Sequence, residues 1–312
     1  MTAEPYKGVR LVLGDRDPAF GKIVSSALFP LGLLDIAVCL DAKSLRQAVA
    51  ATVDIIVCDT SLPGLDFRAF VQDVRHGRIG QNPFVVIIAN VNSTDEAKAA
   101  GISGCGIDEM IAKPIHPLLL VRRINILAKD RNPFVVTPGY VGPSRRAERR
   151  NDGSDDSLVA VPNTLRAKMV EKKDDRAISG IVADGLTSLN KGKAVSGIKV
   201  IARLTRRLDS LQEGNATIED SRRVLNGLAR MANEVAAQHR SGESANHVPP
   251  IAERIARLSI RAESAAARPS RIEIDLLTKL SDAAMVAFSA EPRASGAVPE
   301  IVAMVDGYLA GA

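Results

Sequence analysis

Tryptophan is absent from this 312-residue chain, and aromatic residues make up only 3% of it. Proteins that bind single-stranded nucleic acid stack bases on aromatic side chains, so this scarcity argues against a base-stacking fold. The three cysteines, Cys39, Cys58 and Cys105, lie in or beside apolar stretches. Their number and placement indicate buried thiols in a reducing compartment and argue against a disulfide framework or a metal site.

Long apolar runs are missing as well. No stretch reaches the roughly 18 apolar residues that a membrane-spanning helix needs, and the N-terminal "MTAEPYKGVR" lacks an apolar signal core. We therefore expect a cytoplasmic protein with no membrane contact. The composition, 46% hydrophobic and 25% charged, is that of a globular protein, and the length allows two domains joined by a linker.

What is present over the first 128 residues is an alternation of short apolar runs and helix-like segments. The five apolar runs are "VRLVLGD", "LDIAVCL", "VDIIVCD", "PFVVIIAN" and "IDEMIAKP". Nearly continuous apolar strands that alternate with helices are typical of a parallel sheet covered on both faces. The pattern predicts an α/β doubly wound, flavodoxin-like domain with five parallel strands.

Charged residues stand at the ends of three predicted strands: Asp15 after the first, Asp59 after the third and Lys113 after the fifth. Ligands gather at the carboxyl ends of parallel strands, so we expect the three side chains to converge. Carboxylates suit Mg²⁺, and a lysine suits a phosphoryl oxygen. The pattern predicts a site that accepts a phosphoryl group on a carboxylate. Asp59 as a turn residue and Lys113 as an ordinary exposed lysine remain the alternatives.

Residues 9–128 resemble the receiver domain of bacterial two-component response regulators, most specifically in "DTSLPGLD", "AKPI" and "GDRDP". The resemblance implies that Asp59 is the phosphoacceptor and that Lys113 contacts the phosphoryl group. It implies a Mg²⁺ site made by Asp15, Asp59 and the main-chain carbonyl of Ser61. The implied partner is a sensor histidine kinase or a phosphotransfer protein.

Three positions depart from the receiver pattern. Arg16 replaces a second acidic metal ligand, Val91 replaces the switch Ser/Thr, and Met110 replaces the switch aromatic. These departures predict weakened Mg²⁺ binding and weakened coupling of phosphorylation to output. Arg16 pairing with a site carboxylate is one alternative, and an asparagine amide beside Val91 is a substitute for the missing hydroxyl. The resemblance also implies a cis peptide before Pro114.

Residues 129–161 are rich in Pro, Gly, Asp and Arg and show no sustained period, which predicts a mostly flexible linker. Within it, "NPFVVTPGYVGP" could strap onto the receiver. The basic run "GPSRRAERR" contributes to the formal net charge of +5. A solvated linker explains this run better than a phosphate-contacting patch does.

Residues 162–312 contain five amphipathic helical patterns, which predict an α-helical bundle that serves as an output or interaction module. His239 at a helix end and His247 in a loop do not match a phosphotransfer bundle. No helix-turn-helix, Gly-rich phosphate loop or catalytic motif is present. We therefore expect a protein that is not an enzyme.

Together these patterns predict an atypical response regulator that accepts a phosphoryl group on Asp59 and signals through its helical region by protein–protein contact. The target of the helical region is an unknown protein, and self-association is an open alternative. A phosphorylation-independent pseudo-receiver scaffold is the second hypothesis, favoured by Arg16 and Val91. A nucleic-acid-binding regulator is the third, favoured by charge alone.

Overall fold

A computed structural model describes residues 4–145, 158–212, 216–239, 248–265, 267–289 and 298–311. Its contacts divide the chain into two compact units, Met1–Leu189 and Asn190–Ala312. Among the helices of the described ranges, none combines the length and the apolar character needed to cross a membrane.

A five-stranded parallel sheet forms the centre of the first unit. The strands are β1 Arg10–Gly14, β2 Asp35–Cys39, β3 Ile55–Asp59, β4 Val86–Val91 and β5 Glu109–Ala112. They lie in the order β2-β1-β3-β4-β5, which is the flavodoxin-like order. β3 and β4 are buried along their whole length, as their uninterrupted apolar sequences predict. The predicted fold class is thus confirmed.

Five helices cover the two faces of this sheet. They are α1 Pro18–Leu28, α2 Ala42–Ala50, α3 Phe67–Arg75, α4 Thr94–Ala99 and α5 Pro117–Lys129. Alternate residues of β3 serve different cores: Ile55 and Val57 pack with residues of α1 and α5, whereas Ile56 and Cys58 pack with residues of α2, α3 and α4. The strand ends are therefore held firmly in place on both sides.

Part of the predicted flexible linker is an ordered antiparallel sheet. β6 Phe134–Thr137 pairs with β7 Tyr140–Pro143 on one side and with β8 Leu158–Val159 on the other. β-Branched and aromatic residues flank a Pro-Gly pair on both sides, and this pattern favours two strands joined by a turn. The expected strap therefore exists, and 134–143 departs from the flexible prediction. Most of the basic run falls in 146–157, outside the described residues.

The hairpin rests on the loop before β5 through two glycines. A Cβ added to Gly142 would lie 2.6 Å from the Cα of Gly106, and a Cβ added to Gly106 would lie 2.8 Å from the carbonyl oxygen of Val141. Gly106 also has a positive φ of 107°. Side chains at these two positions would push the hairpin away from the domain.

Two further helices begin after the hairpin. α6 Thr164–Met169 places Leu165 in the core shared with α1 and α5, and α7 Asp175–Ser210 places Ile178 against the hairpin core. The contacts divide the chain within α7, after Leu189, later than the predicted domain start at residue 162. The folding limits of the domains stay a prediction.

The second unit consists of helices, as predicted. After the end of α7 come α8 Ile218–His239, α9 Val248–Ser264, α10 Arg271–Ser289 and α11 Val298–Ala310. One apolar core joins all five helices, including Ile198 of α7, Leu228 of α8 and Val305 of α11. A capping box precedes α8, because Thr217 and Asp220 exchange hydrogen bonds. His247 lies outside the described residues.

Candidate functional site at the carboxyl ends of the strands

The three charged residues at the strand ends lie together. Lys113 Nζ donates to Asp59 Oδ2 at 2.6 Å and lies 3.7 Å from Asp15 Oδ2. β1, β3 and β5 hold these residues, and their parallel directions bring the carboxyl ends to one edge. Asp15 and Asp59 are almost fully buried, whereas Lys113 remains partly accessible. The convergence that the sequence predicts is therefore found.

Asp59 is a buried carboxylate whose two oxygens both accept hydrogen bonds. Its Oδ1 accepts two hydrogen bonds from Ser61, one from the backbone N–H at 2.9 Å and one from the hydroxyl at 2.8 Å. Burial by itself would raise the pKa of Asp59, but the hydrogen bonds from Lys113 and Ser61 outweigh burial and lower the pKa. Asp59 is thus ionised at neutral pH, as a carboxylate nucleophile must be.

The hydroxyl of Ser61 is a contact that the sequence prediction missed, since only its main-chain carbonyl was assigned as a metal ligand. A signal exists: an aspartate side chain often accepts a hydrogen bond from the residue two positions later, and Ser61 stands two positions after Asp59. No other described group competes for this oxygen, so Asp59 is oriented from one side by Ser61 and from the other by Lys113.

Asp15 and Asp17 have different tasks although they are close in sequence. Asp15 Oδ1 accepts the backbone N–H of Asp17 at 2.9 Å. Asp17 Oδ1 accepts the backbone N–H of Ala19 at 2.9 Å and caps α1, whose first residue is Pro18. The Asp17 carboxylate therefore caps α1. It does not take the place of the second acidic metal ligand, whose position in the receiver pattern is occupied here by Arg16.

Arg16 is exposed, and within the described ranges it has no hydrogen bond or ion pair. The alternative in which Arg16 pairs with Asp15 or Asp59 is therefore wrong for this structure. The cation between the two carboxylates is Lys113.

The residues present do not fit a Mg²⁺ ion well. Among the described residues, no group of three His, Cys, Asp or Glu side chains could hold a metal. Asp59 already accepts hydrogen bonds at both carboxylate oxygens, and Asp15 at one. A hard divalent cation prefers several free oxygen ligands, and here Lys113 supplies the positive charge instead.

The two switch positions are occupied by packed apolar side chains. Val91 is buried in the core formed with α2, α3 and α4, and Met110 packs against the same core. Asn90 lies opposite Asp59 in the pairing of β3 with β4, is fully buried, and finds no partner for its amide among the described residues. An unpaired buried amide is costly, so it is a ready donor for a new acceptor nearby.

The peptide between Lys113 and Pro114 is cis, which confirms that prediction. The side of the site that faces solvent is an open cavity of about 650 Å³. Asp15, Arg16, Asn92 and Lys113 line its polar part, and Phe20 lies on its apolar wall.

Comparisons with known proteins give structural matches only. No family model matches the chain, and no curated protein matches it. The solved chemotaxis response regulator CheY4 of Vibrio cholerae is 23% identical with a TM-score of 0.34, over 38% of this chain and 96% of that one. The receiver domain of the Francisella response regulator 1452 is 23% identical with a TM-score of 0.33, over 38% and 95%.

Full-length FixJ from B. japonicum is 14% identical with a TM-score of 0.32, and the match covers 90% of this chain and 99% of FixJ. The order of the five strands assigns the architecture independently of these matches. The N-terminal region of the chain has the flavodoxin-like fold that response-regulator receiver domains share.

Proposed function

We propose that this protein is an atypical response regulator whose Asp59 accepts a phosphoryl group. The observation that carries the proposal is the 2.6 Å contact between Lys113 Nζ and the buried Asp59 carboxylate, with Asp15 beside it. A lone buried aspartate would be protonated or unstable, whereas this one is ionised and oriented. Lys113 is also the group that would neutralise a phosphoryl oxygen on Asp59.

The donor of the phosphoryl group in this proposal is a phosphohistidine on a sensor kinase or phosphotransfer protein in the cytoplasm. Asp59 would act as the acceptor and Lys113 as the phosphoryl contact. Asp15, Asp59 and the Ser61 carbonyl would offer Mg²⁺ a weak site, weaker than one with an acidic residue at position 16. The output would be a protein contact made by the helical region, without enzymatic turnover.

Phosphorylation by a small donor tests the proposal. Incubate the full chain with acetyl phosphate and measure its intact mass. We expect one phosphoryl group on the wild type and none on Asp59→Asn. Asp73→Asn is the matched control, because Asp73 also pairs with cations but lies away from the site. Labelling that persists in Asp59→Asn would contradict the assignment of the acceptor.

A second candidate is a scaffold that works without phosphorylation. The observation that favours it is the packing of Val91 and Met110 into the core, where neither side chain offers a hydroxyl or a ring. A switch needs contacts that differ between its two states. In the scaffold, Asp59 and Lys113 would form a permanent ion pair, and Asp59→Asn would leave every partner affinity unchanged.

A further inference from the structure

The cavity lined by Asp15 and Lys113, the two residues next to Asp59 in the site, also has Arg16 in its lining. Lys113 is engaged by Asp59 and Asp15, and Asp17 is committed to the start of α1. Arg16 lines the same cavity and, among the residues that the structure describes, has no hydrogen-bonding or ionic partner. Arg16 has no anionic partner, whereas Lys113 already binds two carboxylates. Arg16 is therefore available to bind an anion that enters the site.

The charge balance of the site shows which anion this would be. At rest, Lys113 faces two carboxylates and compensates both in part. Conversion of Asp59 to an acyl phosphate replaces one negative charge with about two, and it adds three oxygens that accept hydrogen bonds. Lys113 alone then leaves an excess of negative charge in a partly buried position. Arg16 is the second cation, after Lys113, among the residues that line the cavity.

Guanidinium groups bind phosphoryl oxygens in a bidentate manner and stay protonated, so they stabilise such a group without titrating. The residues at this site fit a divalent cation poorly, as described above. The positive charge that stabilises the phosphoryl group is therefore available from the chain itself.

We propose that Arg16 is a second phosphoryl-contacting residue, and that with Lys113 it makes phosphorylation of Asp59 independent of a divalent cation. This inference rests on the proposed function. In the step itself, a carboxylate oxygen of Asp59 attacks the phosphorus of the donor and forms a new P–O bond. With acetyl phosphate, the P–O bond to the acetyl group breaks and acetate leaves with the bonding electrons. No proton and no redox partner is required.

The test compares labelling of the full chain by acetyl phosphate in EDTA and in MgCl₂, followed by intact mass. The variants are Arg16→Gln, Arg16→Asp and the control Arg122→Gln, which removes an exposed arginine of α5 outside the cavity lining. We expect equal labelling rates for the wild type and Arg122→Gln in both buffers. Arg16→Gln should lose about a hundredfold in EDTA, the typical cost of removing one group that stabilises developing charge.

Arg16→Asp should be labelled slowly in EDTA and rapidly in MgCl₂, since it exchanges the cation for an oxygen ligand. Wild-type labelling that requires Mg²⁺ would overturn the inference and leave Asp59 as the acceptor. Equal rates for Arg16→Gln and wild type in EDTA would overturn it too. A wild type that is not labelled in either buffer would instead overturn the proposed function, and the inference with it.

Discussion

Asp59 shows how a carboxylate is kept ionised inside a fold. Burial in the sheet disfavours its charge, while Lys113 and Ser61 supply hydrogen bonds that restore it and lower its pKa. A group with a lowered pKa contributes stability above its unfolded pKa and loses that contribution as the pH falls through the folded value. Around neutral pH the carboxylate is therefore fully ionised, and labelling should not depend on its titration.

The replacement at position 16 has a direct consequence for metal binding. We predict that the wild type binds Mg²⁺ much more weakly than Arg16→Asp, because the substitution removes a cation and returns a hard oxygen ligand. Isothermal titration of both proteins is the measurement, with Arg122→Gln as the control. Tight binding by the wild type that the substitution leaves unchanged would defeat this prediction.

Sequence patterns locate the residues of the site but do not predict their side-chain contacts. The positions of Asp15, Asp59 and Lys113 follow from strand ends meeting at one edge of a parallel sheet. The hydroxyl contact of Ser61 and the exposure of Arg16 depend on side-chain rotamers and loop geometry, which periodicity does not encode.

The hairpin β6–β7 is the element that ties the chain after α5 to the domain. The fully buried Arg75 of α3 donates to Asp108 Oδ2 at 2.8 Å. Arg131, which precedes the hairpin, donates to both carboxylate oxygens of Asp108, at 2.7 Å to Oδ1 and 3.1 Å to Oδ2. Both guanidinium groups also lie over the ring of Phe134, at 5.2 Å for Arg75 and 5.0 Å for Arg131. The remaining Arg75 donors reach carbonyl oxygens, including that of Gly106 at 2.7 Å.

This cluster contributes to the pH dependence that we expect for the stability of the first unit. Burial would raise the pKa of Asp108, but the charges of Arg131 and Arg75 outweigh burial and hold the pKa below its ordinary value. Burial also lowers the pKa of Arg75 to about 10, which still leaves it charged at neutral pH. Both arginines depend on Asp108 for charge compensation.

We predict that Asp108→Asn lowers the free energy of unfolding by about 3 kcal/mol, because it leaves two buried arginines without their counter-charge. Asp73→Asn is the matched control: Asp73 also contacts two arginines, Arg46 and Arg78, but nearer the surface, and should cost less than about 1 kcal/mol. Denaturant melts of the three proteins provide the values. If both variants lose the same free energy of unfolding, the buried ion pairs of Asp108 contribute no more to stability than the surface ion pairs of Asp73.

The pH dependence of these melts gives a second readout. A depressed folded pKa stabilises the protein above the unfolded aspartate pKa of about 3.9, and this contribution disappears as the pH falls further. Wild-type stability should therefore drop on acidification below about pH 4, and Asp108→Asn should show a smaller drop.

The sequence predicts the strands and turn of the β6–β7 hairpin, but it does not predict the Arg75–Asp108 ion pair beneath the hairpin. The β-branched and aromatic residues on both sides of Pro138 and Gly139 predict two strands and a turn. Nothing in the pattern pairs Arg75 with Asp108, because the two are separated along the chain and the pairing requires the folded β4–β5 edge.

The whole chain contains two compact units that share the long helix α7. Helical periodicity predicts the five helices of the second unit, since their apolar stripes repeat over several turns. The position of the division is harder to predict, because α7 has no break in sequence where its packing changes.

We predict that residues 190–312 fold alone, because a single apolar core joins the five helices. Residues 162–312 should show the same cooperative melt, while their added segment, whose Leu165 and Ile178 pack in the first unit, should exchange amide protons rapidly. Circular dichroism and hydrogen exchange are the measurements. A non-cooperative 190–312 fragment would mean that the core needs the earlier segment.

We expect phosphorylation of Asp59 to change the self-association of the protein only slightly. Val91 and Met110 offer no new contact to a phosphoryl group, so we predict that a beryllofluoride mimic changes self-association less than tenfold, under about 1.4 kcal/mol of coupling. Analytical ultracentrifugation with and without the mimic measures this. A larger shift that disappears in Asp59→Asn would show that another group, with the buried Asn90 amide as the first candidate, completes the switch.

The most direct test is to locate the phosphoryl group chemically. Asp15 and Asp59 are neighbouring carboxylates, so loss of labelling in a variant does not by itself identify the acceptor. Borohydride reduces an aspartyl phosphate to homoserine, which peptide mass spectrometry assigns to one position. After treatment with acetyl phosphate and borohydride, we expect homoserine at position 59 and unmodified aspartate at position 15. Homoserine at position 15, or at neither position, would contradict the assignment of Asp59 as the phosphoacceptor.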